Sequence, residues 1–492
     1  MQESIRRRKT LVLAICCMSL LLVSLDVTAL NVALPSMRRE FGASVAGMQW
    51  TIDAYTLVLA SLLILAGSTA DRIGRRRVFT AGLVLFTAGS LLCSLAPGLG
   101  WLVGFRAVQA VGGSMLNPVA MSIITNTFTE PRERARAIGA WSAVAGLSMA
   151  AGPLIGGLLV DSVGWRAVFW VNLPVGLAAL GLTRRYVPES RAERPRRPDP
   201  VGQLLVIAAL GGVTYAIIEA PAAGADSPAV LGCACLAAAS LAALVPYELR
   251  RADPLIDPRF FRSAPFSGAT VIAVCAFAAL SGFLFLNTLY LQEVRGLDAL
   301  GAGLWMLPMA ALAFLCAPLS GRLVAARGPR LPLLLAGTAM AASGLLFAAF
   351  SAEASNPLLF TGYALFGLGF GLVNAPITNT AVSGMPRSQA GVAAAIASTS
   401  RQTGGTLGVA VIGAVLAAGT AGGGGAPVLD GGAEFVAAAR PAWWIITACG
   451  ALVLTVGAAT SGRWARGTAV RTARRLERAC ADPSPAGVPP QA

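Results

Sequence analysis

The feature that most restricts this chain is a recurrence. Runs of roughly 20 apolar residues, the length a helix needs to cross a hydrocarbon core about 30 Å thick, return about fourteen times, the first at 11–34 and the last at 442–461. Only 12% of the 492 residues are charged and 56% are hydrophobic, too little polar surface to keep a chain of this size in water. In lipid every backbone N–H and C=O needs a partner within the structure, which leaves helices or a closed barrel. Barrel strands read as short alternating segments, unlike these runs. The sequence therefore predicts an all-α polytopic membrane protein with fourteen spans.

The formal charge of +15 would point to nucleic acid in a soluble chain, but its placement gives another reason for it. With the N-terminus taken as internal, 31 of the 38 Lys and Arg fall on that side. Five (Arg38, Arg39, Arg166, Arg295 and Arg440) fall on the other, and Arg106 and Arg401 lie inside spans. That asymmetry is what the positive-inside rule requires of an even number of spans with both termini cytoplasmic. Nucleic acid is not needed as a partner. The basic start and apolar run at the N-terminus are too long for a cleaved signal and are read as a retained first span. The chain has no His, and its nine Cys lack paired ligand spacing, so imidazole relays and a metal site are not expected. No cofactor is expected, and without a Gly-x-x-x-x-Gly-Lys loop neither is ATP-driven pumping.

An internal repeat organises the spans. "GSTADRIGRR" (67–76) follows the second span and "GRLVAARGPR" (321–330) the tenth, so that Gly67, Gly74 and Arg76 fall on Gly321, Gly328 and Arg330. "GGSMLNP" (112–118) similarly matches "FGLVNAP" (370–376). The expected organisation is a cytoplasmic N-terminus at 1–9 and a six-helix bundle at 10–185, then a basic loop at 186–200 and an inserted helix pair at 201–247. A cytoplasmic loop at 248–265, a second six-helix bundle at 266–462 and a basic tail at 463–492 follow, the tail and the 186–200 loop being expected to lack order. A flexible loop is expected over 419–435. Parallel repeats of this kind form transporters whose cargo site lies between the halves near the midplane.

Two motifs carry a resemblance. "GSTADRIGRRR" resembles the loop signature of the major facilitator superfamily, Gly-x-Leu-x-Asp-Arg-x-Gly-Arg-Arg, with Thr69 in place of Leu. The resemblance implies a gate latch built from Gly67, Asp71, Arg72, Gly74 and Arg75. "AGLSMAAGPLIGGLL" (145–159) is similar to the antiporter signature of the fifth span, which implies a role for Gly146, Gly152, Pro153 and Gly156. "LDVTALNVALP", "WTIDAYTL", "FRAVQAVGG" and "RQTGGTLGVA" look like the fourteen-helix drug:proton antiporter branch of that family, except that Ala110 stands where the pattern has Gly. The resemblance spans essentially the whole chain. It implies a major facilitator fold of two six-helix bundles plus two inserted helices in a bacterial inner membrane; small-molecule cargo, protons and the lipid bilayer are the expected partners, and a monomer is expected.

Asp26 is the only charged residue between Thr10 and Met37. At about 1.5 Å per residue it stands roughly 22 Å above the internal end of its span, while Arg106 in an antiparallel span lies roughly 9 Å below the external end. The two share a depth, and ionisable residues at that depth face a cavity and pair. Asp26, Arg106 and Asp53 are accordingly the proton-coupling candidates: desolvation disfavours an ionised carboxylate and a nearby Arg favours it, so a small movement tips its protonation. Asp53, Glu219, Asn31, Tyr55, Gln109, Asn117, Asn374 and Arg401 are the candidate cargo contacts. The expected function is proton-driven export of amphipathic small molecules by alternating access, with the proton motive force as the energy source. A narrow exporter of one endogenous metabolite is the alternative within transporters. A membrane enzyme would need a cluster of acids, His or metal ligands at one interface, and a non-transporting sensor would leave the titratable span residues without work.

Overall fold

The computed structural model describes residues 2–192, 199–251, 253–349, 354–383, 385, 389–421 and 432–481. Within them the chain is helical throughout. The first group is α1 (Gln2–Phe41), α2 (Val45–Ile73), α3 (Arg75–Ser94), α4 (Leu99–Thr127), α5 (Pro131–Ser162), α6 (Ala167–Trp170) and α7 (Asn172–Tyr186). An inserted pair follows, α8 (Pro200–Ala223) and α9 (Pro228–Leu249). A 3-10 turn (Pro258–Arg262) leads to α10 (Ala264–Leu289), which runs on as a short π-helix (Tyr290–Val294). Then come α11 (Ala299–Trp305), α12 (Leu307–Arg327), α13 (Arg330–Ala348), α14 (Asn356–Val382), α15 (Ala390–Ala421), α16 (Gly432–Thr460) and α17 (Arg463–Ala481).

Among the described residues thirteen helices are long and apolar enough to cross a membrane, and fourteen when α5, bent by 42° between Met149 and Ala151, is taken as one span. Pro153 supplies the cause of the bend, since it removes the backbone bond to the carbonyl four residues earlier. α1 to α5 and α7 pack on one another, α10 and α12 to α16 do likewise, and α8 packs against both α2 and α15 along the seam between the two groups. The sequence repeat has a structural counterpart: Gly74, alone between α2 and α3, has φ 125°, and Gly328 at the end of α12 has φ 78°. Both turns therefore need a residue without a Cβ.

The structure corrects several expected boundaries. α1 begins nine residues before the apolar run, so the 1–9 segment is helical from Gln2, and Arg38 and Arg39 sit in its last turn rather than in a loop. Helix propagates past the apolar run because nothing in Arg6–Lys9 breaks it. The sixth span, Ala167–Tyr186, holds α6 and α7 with Val171 between them in helical conformation. Residues 187–192 of the basic loop are held in place: Arg75 N donates to Ser190 O at 2.9 Å and Ala192 N to Asp71 O at 3.0 Å. Of the loop expected to be flexible over 419–435, residues 419–421 belong to α15 and 432–435 to α16, and 422–431, like 193–198 of the basic loop, lie outside the described residues. The basic tail is a helix, α17, up to Ala481, and 482–492 lie outside the described residues.

Candidate functional site

Asp26, 1% exposed in the middle of α1, is surrounded by donors from two other helices. Arg106 Nη1 on α4 pairs with Asp26 Oδ2 at 2.5 Å, while Gln109 Nε2 on α4 donates to Oδ1 at 2.8 Å and Asn172 Nδ2 on α7 donates to the same oxygen at 2.9 Å. Ser90 on α3 closes the cluster by accepting from Gln109 at 2.8 Å and from Asn172 at 3.3 Å. Arg106, wholly buried, also donates to Gln109 Oε1 at 2.7 Å and to Thr51 O of α2 at 3.3 Å. Its guanidinium stands 4.3 Å from the centre of the Tyr55 ring and 5.8 Å from that of Phe169. A buried ion pair is tolerable only when its remaining donors and acceptors are satisfied and aromatic faces take the rest of the charge. This one meets both conditions.

The expected site residues do not form one group. Asp26, Arg106, Gln109 and Tyr55 come together inside the first six-helix group, and the carboxylate is sealed there rather than open to a cavity. The tight packing of α1, α3, α4 and α7 excludes water from it. Asp53 lies apart, wholly buried where α2 meets α15, with Oδ1 accepting from Thr56 at 3.2 Å and Thr406 of α15 donating to Thr56 at 3.0 Å. Asp53 Oδ2 has no hydrogen-bond partner among the described residues. Glu219 on α8 accepts from the indole N–H of Trp50 on α2 at 2.7 Å. Arg401 on α15 donates to Thr378 of α14 at 2.5 Å. Asn31 bonds back to its own helix at Val27 O, Asn117 Oδ1 has no partner among the described residues, and Asn374 is half-buried on α14. Sequence reasoning missed Asn172, Ser90 and Thr51. The signal for the first was present, since Asn172 is a lone amide in the apolar run of the sixth span.

The glycine motifs have separable mechanical roles. A Cβ on Gly156 would meet Ala29 O of α1 at 2.8 Å, and one on Gly152 would overlap the Thr28 hydroxyl, so α5 packs backbone to backbone on α1. Gly157 faces the other way, where a Cβ would meet Ala299 O at 2.5 Å and Leu300 Cα at 2.6 Å. A Cβ on Gly146 would meet the Phe314 ring of α12 at 3.2 Å. In the latch loop, Asp71 Oδ1 accepts from Arg75 Nε at 3.1 Å and Nη2 at 2.9 Å, so it binds a side chain instead of the N–H groups of a helix start. A Cβ on Gly74 would meet the Glu189 carboxylate at 2.6 Å, whereas Gly67 has only ordinary contact, with Pro118 Cβ at 3.8 Å, and Arg72 is exposed.

The hydrogen bonds that join the two groups cluster at the end of α1 that carries Phe41. Gln49 Nε2 donates to Val409 O at 3.0 Å and Ala410 O at 2.8 Å of α15, and Gln292 Nε2 donates to Val32 O of α1 at 2.8 Å. Asp161 of α5 accepts from the backbone N–H groups of Ala299 at 3.2 Å and Leu300 at 2.7 Å, at the start of α11. These contacts close this face of the seam.

Two groups of membrane helices with an ionic cluster inside one of them and a polar seam between them define a multi-pass transporter. The model of the Major Facilitator Superfamily matches residues 16–409, and the chain belongs to that family of small-molecule transporters rather than to enzymes. It is 41% identical to the Multidrug resistance protein Stp of Mycobacterium tuberculosis over 82% of this chain and 74% of that protein. It is 37% identical to the Tetracenomycin C resistance and export protein of Streptomyces glaucescens, over 81% and 74%. It is 35% identical to the drug efflux pump JefA of Mycobacterium tuberculosis, over 82% and 79%. In fold it resembles a bacterial homologue of the human lysosomal transporter Spinster in an inward-facing, unoccupied conformation, with TM-score 0.65 and 20% identity over 95% of this chain and 98% of that one.

Proposed function

We propose that the chain is a proton-coupled antiporter that exports amphipathic small molecules, drugs or antibiotics among them, from a bacterial cytoplasm by alternating access. The observation that carries this reading is the Asp26 cluster: one buried carboxylate collects donors from α4 and α7, and its ionisation decides whether those donors have a partner. A proton on Asp26 removes the counter-charge of Arg106 and loosens α1 from α4 and α7. Because the carboxylate is 1% exposed, the proton reaches it only when the group opens, which ties protonation to a conformational step. Asp53 contributes a second acid at the seam itself, where its free oxygen can take a proton or a cationic cargo. The latch loop and the α5 glycines steer the tilt of the groups. The split of Lys and Arg supports cytoplasmic termini and an inner-membrane, multi-pass location.

The names of the relatives support drug and antibiotic cargo. One of them names a single compound, which supports the alternative of a narrow exporter of one endogenous metabolite. The experiment is efflux of fluorescent cationic and neutral compounds into inverted vesicles with an imposed pH gradient, with and without a protonophore. Gradient-dependent, protonophore-sensitive accumulation is expected. Indifference to the gradient for every compound that is transported overturns proton coupling.

A further inference from the structure

α17 has work outside the transport path. Its buried residues, Ala465, Ala469, Thr472 and Leu476, recur at the three- and four-residue spacing of one helix face, a stripe about 16 Å long at about 1.5 Å per residue. Two anchors fix its height. Only Ser461 and Gly462 separate it from the end of α16, and the Thr468 hydroxyl accepts from Ala264 N, the first residue of α10, at 2.9 Å. Leu476 joins the same apolar cluster as Phe260 of the 3-10 turn, and α17 contacts that turn as well. With its beginning, middle and end all held at the ends of spans, α17 lies along the membrane boundary instead of projecting from it.

The uncovered faces have one charge character. Arg466, Arg471, Arg474 and Arg475 are exposed, against a single exposed acid on the helix, Glu477. Trp464 is 68% exposed about two and three turns from Arg471 and Arg475 on the same flank, and beside α17 the 3-10 turn exposes Phe261 at 42% between Arg259 and Arg262. Asp257 at the start of that turn uses its side chain to cap Arg259 N at 2.9 Å. Arginines interleaved with exposed aromatics at the level where spans end match a headgroup layer in chemistry: guanidinium for phosphate, indole and phenyl for the glycerol and upper acyl region.

We propose that α17 and the 258–262 turn form a lipid-binding belt that takes anionic phospholipid headgroups beneath the second six-helix group. Each Arg near such a surface adds attraction that falls off within a Debye length, so the binding is steeply salt-dependent. The test uses the full chain in nanodiscs of phosphatidylcholine alone or mixed with phosphatidylglycerol, reading amide hydrogen exchange over α17. Exchange on the exposed faces slows about tenfold with the anionic lipid, and the difference disappears at high salt. Arg471→Glu with Arg475→Glu abolishes the lipid difference while exchange in phosphatidylcholine stays at the parent rate, which shows that the buried stripe is still docked. The salt titration of the unmodified chain needs no variant to fold. Equal exchange in the two lipids at low salt, or a lipid difference that survives high salt, overturns the proposal.

Discussion

Asp26→Asn in α1 separates two roles that the same ion pair could have, a proton carrier and a permanent brace. The substitution leaves Arg106, wholly buried, with the carbonyls of Gln109 and Thr51 and the Tyr55 ring but no counter-charge. It also sets the single amide N–H₂ donor either against Gln109 and Asn172 or against Arg106, all of which already donate to that carboxylate. Breaking a buried pair from one side costs about 3–5 kcal/mol, chiefly the penalty of the charge left behind. Adding Arg106→Gln removes that stranded charge, so the double variant recovers most of the loss. Unfolding of the purified proteins measures the cycle, and pH-gradient-driven efflux in inverted vesicles measures function. The expected outcome is a destabilised, inactive single variant that still inserts and a stable but uncoupled double variant. Proton-driven transport by the double variant would refute Asp26 as the proton carrier. An unchanged unfolding midpoint for Asp26→Asn alone would refute the energetic reasoning.

The other predictions concern the seam. Gly157→Leu forces side-chain atoms into Ala299 and Leu300, and overpacking of about 1–3 kcal/mol corresponds to a shift of roughly 5- to 150-fold toward the state in which the α5–α11 contact is open. Spin-label distances across those helices, on a background without native cysteines, report it, and an unchanged distance distribution would contradict the packing role of Gly157. Asp53→Asn reduces efflux of cationic compounds more than that of neutral ones in the same vesicles. Equal losses for both would remove charge recognition from Asp53. Gln49→Leu deletes two hydrogen bonds to α15, worth about 0.5–1.5 kcal/mol each, and speeds modification of a cysteine placed at position 410. Parent-like modification would show that the closed face does not depend on them.

Much of the architecture was legible because its causes are local. Apolar runs must be helical in lipid, and the position of each Arg relative to a run sets its side. Asp26 and Arg106 could be placed at one depth from rise per residue alone, and the structure pairs them. Asn172 and Ser90 could not be found this way, since their place beside Asp26 depends on how α3 and α7 rotate about their own axes. Asp53 and Asp26 stood together as proton-coupling candidates because both are acids within spans, yet helix facing puts one at the α2–α15 seam and the other inside the first group. The tail was misread for the opposite reason. Charge run dominated its composition, and the sparse stripe of Ala465, Ala469, Thr472 and Leu476 acquires meaning only against the 3-10 turn and α10.

The sequence by itself determined the solvent of this protein, the number and order of its spans, the duplication of its halves and the family motifs, because each follows from composition and spacing along one helix. Tertiary structure alone decided which polar residues share a cluster, which glycine faces which neighbour and which end of the seam is closed. Those depend on the rotation and tilt of each helix against the others, and no spacing along a single helix contains them.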